Sequence, residues 1–277
     1  MNSRQDDGVE ISSPSNPRVR AAARLRDRRE RTARGLTIID GVREIGRAID
    51  AGVAIEEVFL CRPLLSVGAG TALLERLEAA GLRPAEVSEA AFEKMAYGDR
   101  FEGIVAVARA PMTGLDAIVL GPEPLLVVTE DVEKPGNVGA ILRSADGAGA
   151  DAVIVAAPGT DLFNPNVIRA SVGTVFSVPA AVATAEATIR WLRDRAIRIV
   201  AARLDGTFSP WEVDLTEPTA LVLGSEREGL SGIWSDPDVV AVRLPMLGAA
   251  DSLNVSATAA VLLYEARRQR DQRSTTT

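Results

Sequence analysis

The chain has 277 residues, 47% hydrophobic and 25% charged, and carries a formal net charge of −7 with one cysteine and no histidine. Its length accommodates one large or two ordinary domains; no apolar run approaches the roughly 20 residues that span a bilayer and no signal-like region opens the chain, so a cytoplasmic protein is expected. The lack of histidine excludes a Cys/His metal site, the commonest general base and every Ser-His-Asp or Cys-His nucleophile, and no metal is expected. Cys61, beside an apolar Val-Phe-Leu run, has no disulfide partner and reads as core.

Residues 1 to 14 are polar, with Ser, Asp and Pro, and are expected to be disordered. In "SPSNPRVRAAARLRDRRERTARG", Ser15 or Asn16 can cap, Pro17 fits a first turn and Gly35 ends the element, which predicts one helix. Arg18, Arg20, Arg24, Arg26, Arg28, Arg29, Arg31 and Arg34 crowd into it. The acidic balance of the whole chain argues against a nucleic-acid partner, yet this run is the electrostatic candidate for phosphate contact, with Arg24, Arg28 and Arg31 recurring at helical spacing on one face. The plain alternative is a solvated helix whose arginines pair with Asp27 and Glu30.

From Leu36 strands and helices alternate. "LTIID" leads to "GVREIGRAIDAG", "EEVFLC" to "TALLERLEAAG" and "LRPAEVS" to "EAAFEKMAYG", and "EGIVAVA" closes a small α/β domain over residues 36–108. Pro and Gly interrupt residues 109–124, the expected linker. A second α/β domain over 125–270 opens with "LLVVTEDV", a buried parallel strand by its continuous apolar run; the "PGN" turn, a "VGAILRSADGAGA" helix and strand "AVIVA" complete a right-handed βαβ unit. Further strands are expected at 174–178, 197–202, 219–223 and 239–244, with helices near 165–171, 183–195 and 252–269. Over 221–268, two strands run into loops at Gly224 and Pro245, and Ser252 and Asn254 stand where a side chain can cap the last helix, so two strand ends and one helix start supply the walls of a pocket.

These residues carry a resemblance. "GSEREGLS", "LPMLG" and "SLNVSATAAVLLYEARRQR" resemble motifs 2 and 3 of the SpoU (TrmH-like) branch of the SPOUT RNA methyltransferases. Motif 1 is resembled by "PGNVGAILRSADGAGADAVIV" (135–155), and "DLFNPNVIRASVGTVFSVP" (161–179) is similar to the same family. The resemblance implies a trefoil-knotted parallel-sheet domain that binds S-adenosylmethionine in the knot, works as a homodimer and methylates a ribose 2′-hydroxyl. "IIDGVREIGRAIDAGVAIEEVFL" resembles the L30e-like substrate-binding domain of the family, with Asp40 where a Glu is usual. That pairing of domains resembles the ribosomal-RNA and antibiotic-resistance members, so 23S ribosomal RNA is the expected partner.

Methyl transfer to a hydroxyl is an in-line displacement that needs alignment and loss of one proton. The resemblance assigns functional roles to Asn137 and Arg143, and the family assigns the Arg as base. A guanidinium is a poor base, so Arg143 is read as holding a phosphate or the developing alkoxide. Glu226 lies two residues beyond Gly224, where a carboxylate can hold Asn137 or Arg143. Ser252 and Asn254 read as caps, and the resemblance places them beside the ribose. Leu223 with Gly224, Leu244, Met246 and Leu247 with Gly248, and Leu253 can supply apolar walls and backbone groups for adenine. Arg169 resembles a recurring family Arg and is a candidate for phosphate contact. A dinucleotide enzyme is disfavoured because Gly136 and Gly139 lack the G-x-G-x-x-G spacing. A tRNA 2′-O-methyltransferase stays open, as does an inactive RNA-binding protein of the same fold, against which the joint presence of Asn137, Arg143, Glu226, Ser252 and Asn254 argues. With 4% aromatic residues, base stacking is not expected to dominate recognition.

Overall fold

The computed structural model describes residues 11–97, 102–156 and 161–276. In chain order the elements are α1 (Pro17–Arg24), α2 (Arg28–Arg34), β1 (Leu36–Asp40), α3 (Val42–Asp50), β2 (Ile55–Leu60), α4 (Ala69–Ala79), β3 (Ala85–Glu86), α5 (Glu89–Met95), β4 (Ile104–Arg109), β5 (Leu125–Thr129), α6 (Pro135–Ala148), β6 (Ala152–Val155), α7 (Pro165–Ala170), β7 (Ala180–Val182), α8 (Ala185–Arg193), β8 (Arg198–Ala202), β9 (Thr219–Leu223), β10 (Val239–Val242) and α9 (Val255–Thr276). They form two compact units, Met1–Pro111 with Phe163–Ser177, and Met112–Leu162 with Val178–Thr277.

In the first unit a four-stranded sheet runs in the order β1-β4-β2-β3, with β4 antiparallel to both neighbours and β3 parallel to β2. Its buried side includes Ile38, Phe59, Cys61 and Val105, packed with Val19 and Ala22 of α1 and with Phe92 and Met95 of α5. Residues 1–10 of the polar tail lie outside the described residues. Ile11 does not continue a loose tail, because it is buried and its N–H bonds the Glu86 carbonyl at 2.8 Å.

The Arg-rich segment differs from expectation in two ways. It is two helices, because the buried Leu25 ends α1 and Asp27 starts α2 by accepting the Arg29 N–H at 2.7 Å. Arg31 is not on an outward face with Arg24 and Arg28: only 5% exposed, it donates to the Leu25 and Arg26 carbonyls at 2.7 Å each. Nor does Asp27 serve as an ion-pair partner among the described residues; Arg18 reaches instead to Glu57 of β2 at 2.5 Å.

Phe163–Ser177 lies within the stretch expected to belong wholly to the second domain, yet it packs in the first unit. Phe163, Val167 and Ile168 are buried, Thr37 donates to the Phe163 carbonyl at 2.7 Å and Arg47 to that of Val172 at 2.5 Å. The strand expected at 174–178 is a 3-10 turn, Thr174–Phe176, entered through Gly173 at φ 81° and tightened by the Thr174 hydroxyl on the Ser171 carbonyl. The adjacent strand forms after Pro179, as β7. Arg169, the candidate for RNA phosphate, is engaged inside this unit: it donates to the Tyr97 carbonyl and stands with Asp40, Glu44 and Glu102 around a small cavity. Burial pushes the Asp40 carboxyl up to about 6, against the opposing effect of the Tyr97 N–H at 2.6 Å and the Arg169 charge.

The second unit is built on a six-stranded sheet, order β10-β8-β9-β5-β6-β7, parallel throughout. Every residue of β5, β6 and β9 is buried, which is why these strands read as unbroken apolar runs. Residues 109–124 are interrupted as expected except for Arg109, which ends β4, and one 3-10 turn at Leu115–Ala117, after which Ile118 enters the core with Trp191, Leu192, Val222 and Trp234. Pro135 starts α6 at its first turn and Gly149, at φ 66°, stops it; α6 packs against α9.

Two consequences can be measured. Arg31→Gln should lower stability by roughly 1–3 kcal/mol, the cost of unmaking buried hydrogen bonds to a charged group, while Arg28→Gln stays within about 0.5 kcal/mol; equal denaturation midpoints would contradict the buried placement. For Asp40 the folded value exceeds the unfolded one, so its contribution is full below about pH 4 and lost as pH rises through about 6. Relative to the wild type, Asp40→Asn should therefore gain on the order of 2 kcal/mol between pH 4.5 and 7.5 in denaturant melts. A difference that does not change with pH would contradict the burial of Asp40.

Candidate active site

β9 delivers Leu223 to Gly224, where a Cβ would stand 2.2 Å from the Gly229 carbonyl carbon, so only glycine allows the loop to double back. The return is closed by reciprocal bonds between Ser225 and Gly229, 3.1 Å each, with Gly229 at φ 70°. The Ser225 hydroxyl also accepts the Glu228 N–H at 3.1 Å. Glu226 sits in this tight loop. Beyond it, Ser231 is fixed by Glu130, a carboxylate only 4% exposed at the end of β5, which accepts the Ser231 N–H at 2.7 Å and its hydroxyl at 2.8 Å.

The Glu226 carboxylate gathers the starts of two helices. One oxygen accepts Asn137 Nδ2 at 3.2 Å and Asn254 Nδ2 at 2.5 Å; the other accepts Lys134 Nζ at 2.6 Å. Asn137 lies in the first turn of α6. Asn254 immediately precedes α9 and caps it, its Oδ1 accepting the Ser256 N–H at 2.9 Å. The Lys134 ammonium, helped by the two amides, holds the Glu226 carboxyl below the usual range, so it is an ionised anchor whose lone pairs are committed. A carboxylate so engaged is a poor proton acceptor.

Beside this cluster the loops after β8, β9 and β10 enclose a cleft of about 470 Å³. Leu223, Gly224, Leu244, Met246 and Leu253 all line it, together with Glu226 and Ser252. Leu247, fully exposed, does not. The size and apolar walls suit a nucleoside-sized ligand such as the nucleoside part of the cofactor; the charged residues of the lining are of both signs, Glu226, Glu228 and Asp251 beside Arg227 and Arg243, with Asp205 paired to Arg203 at 2.7 Å. Among the described residues no His/Cys/Asp/Glu group is arranged to hold a metal, and no helix is long and apolar enough to cross a membrane.

Asn137, Glu226 and Asn254 thus come together, and Ser252 lies in the cleft wall. Ser252 is not the residue that caps α9; Asn254 is. Arg143 stands apart from the cluster, exposed on α6 roughly 9 Å along the axis from Asn137. Lys134 and Glu130 escaped the sequence reading. The usable signal was positional: Lys134 abuts the Pro that begins α6, and Glu130 is a carboxylate at the carboxyl end of a buried parallel strand, where such folds bind ligands.

Known proteins share this architecture. Residues 124–264 match the SpoU rRNA Methylase family, and residues 16–106 match the MRM3-like substrate binding domain. The 23S rRNA (uridine(2479)-2′-O)-methyltransferase of Streptomyces viridochromogenes is 34% identical over 260 residues, covering 90% of this chain and 88% of the relative. The crystal structure of an RNA 2′-O ribose methyltransferase is similar with a TM-score of 0.83 and 41% identity over 95% of this chain and 99% of that one. The AdoMet-bound rRNA methyltransferase of Sinorhizobium meliloti also reaches 0.83, at 29% identity over 94% and 97%.

Glu130→Ala should release Ser231 from its two bonds to a buried carboxylate, at a cost of about 1–3 kcal/mol, and loosen the cleft wall at Leu230. S-adenosylmethionine affinity measured by calorimetry should fall roughly tenfold, with partial recovery in Glu130→Gln, which keeps an acceptor oxygen. Unchanged affinity in the Ala variant would show that Glu130 does not shape the cleft.

Proposed function

The chain belongs to the SpoU rRNA methylase family, and on that premise we propose that it transfers a methyl group from S-adenosylmethionine to a ribose 2′-hydroxyl of 23S ribosomal RNA. The observation that carries this reading is the Asn137–Glu226–Asn254 cluster at the mouth of a nucleoside-sized cleft. We further assign the cleft to the cofactor, with Leu223, Gly224, Leu244, Met246 and Leu253 against its nucleoside, and the backbone around it to a trefoil knot. The first unit serves as the L30e-like substrate-binding domain. A homodimer is part of the proposal, supported by Val261 and Tyr264, which stand exposed at 37% and 55% on α9 beside α6. So is a cytoplasmic site of action, where ribosomal RNA is found.

When bound, the cofactor supplies an electrophilic methyl group on a sulfonium. The chain's own residues orient and stabilise. Glu226 fixes the first turn of α6 against the cap of α9, so Asn137, Ser252 and Asn254 form one rigid edge for the ribose. With no histidine in the chain and the Glu226 carboxylate committed, the 2′-hydroxyl proton passes to solvent ahead of bond formation to the methyl carbon, so that negative charge grows on the attacking oxygen. We assign the stabilisation of that charge to the guanidinium of Arg143, which is exposed on α6 and stands apart from this edge.

Incubation with labelled cofactor and deproteinised 23S RNA should place label on one nucleotide and make its 3′ linkage resistant to alkali. Label on a base, or none, would overturn the reading. Arg143→Ala should lower transfer by about a hundredfold or more while cofactor affinity stays within about twofold, since its role lies on the ribose oxygen. Parallel loss of cofactor affinity would remove that role from Arg143.

A further inference from the structure

Four cations of the first unit share one open groove. Its lining consists of Arg20, Ala23 and Arg24 on or beside α1, Arg26 just after it, and Lys94 on α5, around a space of about 290 Å³. No carboxylate is among these residues. Arg20 and Arg24 are one helical turn apart in a helix with no acidic residue, an arrangement that costs an isolated helix a few tenths of a kcal/mol. Arg26 is anchored by donating to the Ala96 carbonyl and lies over the Tyr97 ring at 5.9 Å, which fixes the floor of the groove.

Elsewhere in the unit some cations are paired with carboxylates, while Arg28, Arg29, Arg43 and Arg83 show no ion pair among the described residues; what sets the groove apart is that its cations converge on one space. Arg18 pairs with Glu57, Arg62 with Glu86, Arg76 with Asp50 and Arg109 with Glu56. None of Arg20, Arg24 and Lys94 has an ion-pair partner among the described residues, although acids are close in sequence: Asp27 is committed to capping α2, and Glu89 and Glu93 of α5 lie outside the lining. Uncompensated like charges, brought together from two segments 70 residues apart on a chain of net charge −7, mark a place where an external anion completes the charge balance. An open groove with cations along its length suits an extended polyanion better than a small enclosed ion.

We propose that this α1–α5 groove is a docking site for the RNA sugar-phosphate backbone, contacted by Arg20, Arg24 and Lys94 with Arg26 as its floor. The inference rests on the RNA-methyltransferase reading above and adds where the substrate is gripped. It also revises the face suggested by sequence, Arg24, Arg28 and Arg31: Arg24 stays, the buried Arg31 and Arg28 drop out, and Arg20 joins with Lys94, which no local pattern connects to α1.

The test compares two variants that each remove two positive charges from the same unit: Arg20→Gln/Lys94→Gln in the groove, and Arg62→Gln/Arg109→Gln, whose cations are paired with Glu86 and Glu56. Binding of deproteinised 23S RNA is titrated against salt. The groove variant should bind roughly tenfold more weakly or worse, and its log K against log salt slope should shallow by about 0.7–0.9 for each lost contact; the paired variant should keep the wild-type slope. The melting temperature of the groove variant should not fall, because like-charge repulsion is relieved. If it does fall, Arg20→Lys/Lys94→Arg must retain the wild-type slope, and loss of slope there overturns the proposal. Equal slopes for the groove and paired variants, with methyl transfer intact, overturn the groove and leave the activity standing. Absence of methyl transfer in the wild type strikes the activity instead, while the slopes still report on the groove.

Discussion

The Glu226 carboxylate, shared by donors at the starts of α6 and α9, is the constraint on which the candidate site depends. It stands in a loop that glycine at 224 alone permits, beside a wall held by the buried Glu130. Its three partners come from the approach to α6, the first turn of α6 and the residue before α9. Segments separated by more than a hundred residues are thereby referred to one point. Helix starts carry partial positive charge, so an ionised carboxylate between them is favourably placed, and the ammonium of Lys134 completes the balance. The same engagement removes Glu226 from proton chemistry, which fits a reaction whose catalysis is alignment and charge stabilisation more than base strength.

Charge is organised locally in this chain. Many surface arginines are tied to carboxylates or backbone carbonyls: Arg193 holds Asp236 and Asp238, Arg203 holds Asp205, and Arg270 bonds carbonyls at Leu215, Glu123 and Glu217. Such exposed pairs add little to stability but cancel much of the field. The basic groove on the first unit, where Arg20, Arg24 and Lys94 converge without an ion pair among the described residues, is hidden by net charge alone.

Much of the second unit was legible because buried parallel strands announce themselves as continuous apolar runs; β5, β6, β8 and β9 lie where "LLVVT", "AVIV", "RIVAA" and "TALVL" indicated. The cleft walls could be found from resemblance at Leu223, Leu244, Met246 and Leu253 because loops after parallel strands are where such walls form. What local pattern could not reveal was anything decided by distant packing. Thr174–Phe176 is apolar enough for a strand, yet Gly173 and the Thr174 hydroxyl turn it into a 3-10 helix. Arg31 shares a helical repeat with Arg24 and Arg28 only if the helix is continuous, and Leu25 and Asp27 break it. Lys134 and Glu130 acquire roles through partners 92 and 101 residues away, a separation that no window along the chain covers.

The central claim is that Glu226 and Asn254 act as one unit in holding the site. A double-mutant cycle on kcat/KM for methyl transfer to deproteinised 23S RNA, using Glu226→Ala, Asn254→Ala and the double variant, measures this directly. The account predicts that the double variant is no slower than the slower single one, because either change already releases α9 from α6. Losses that multiply, with a coupling energy indistinguishable from zero, would show that the two residues contribute independently and would contradict it.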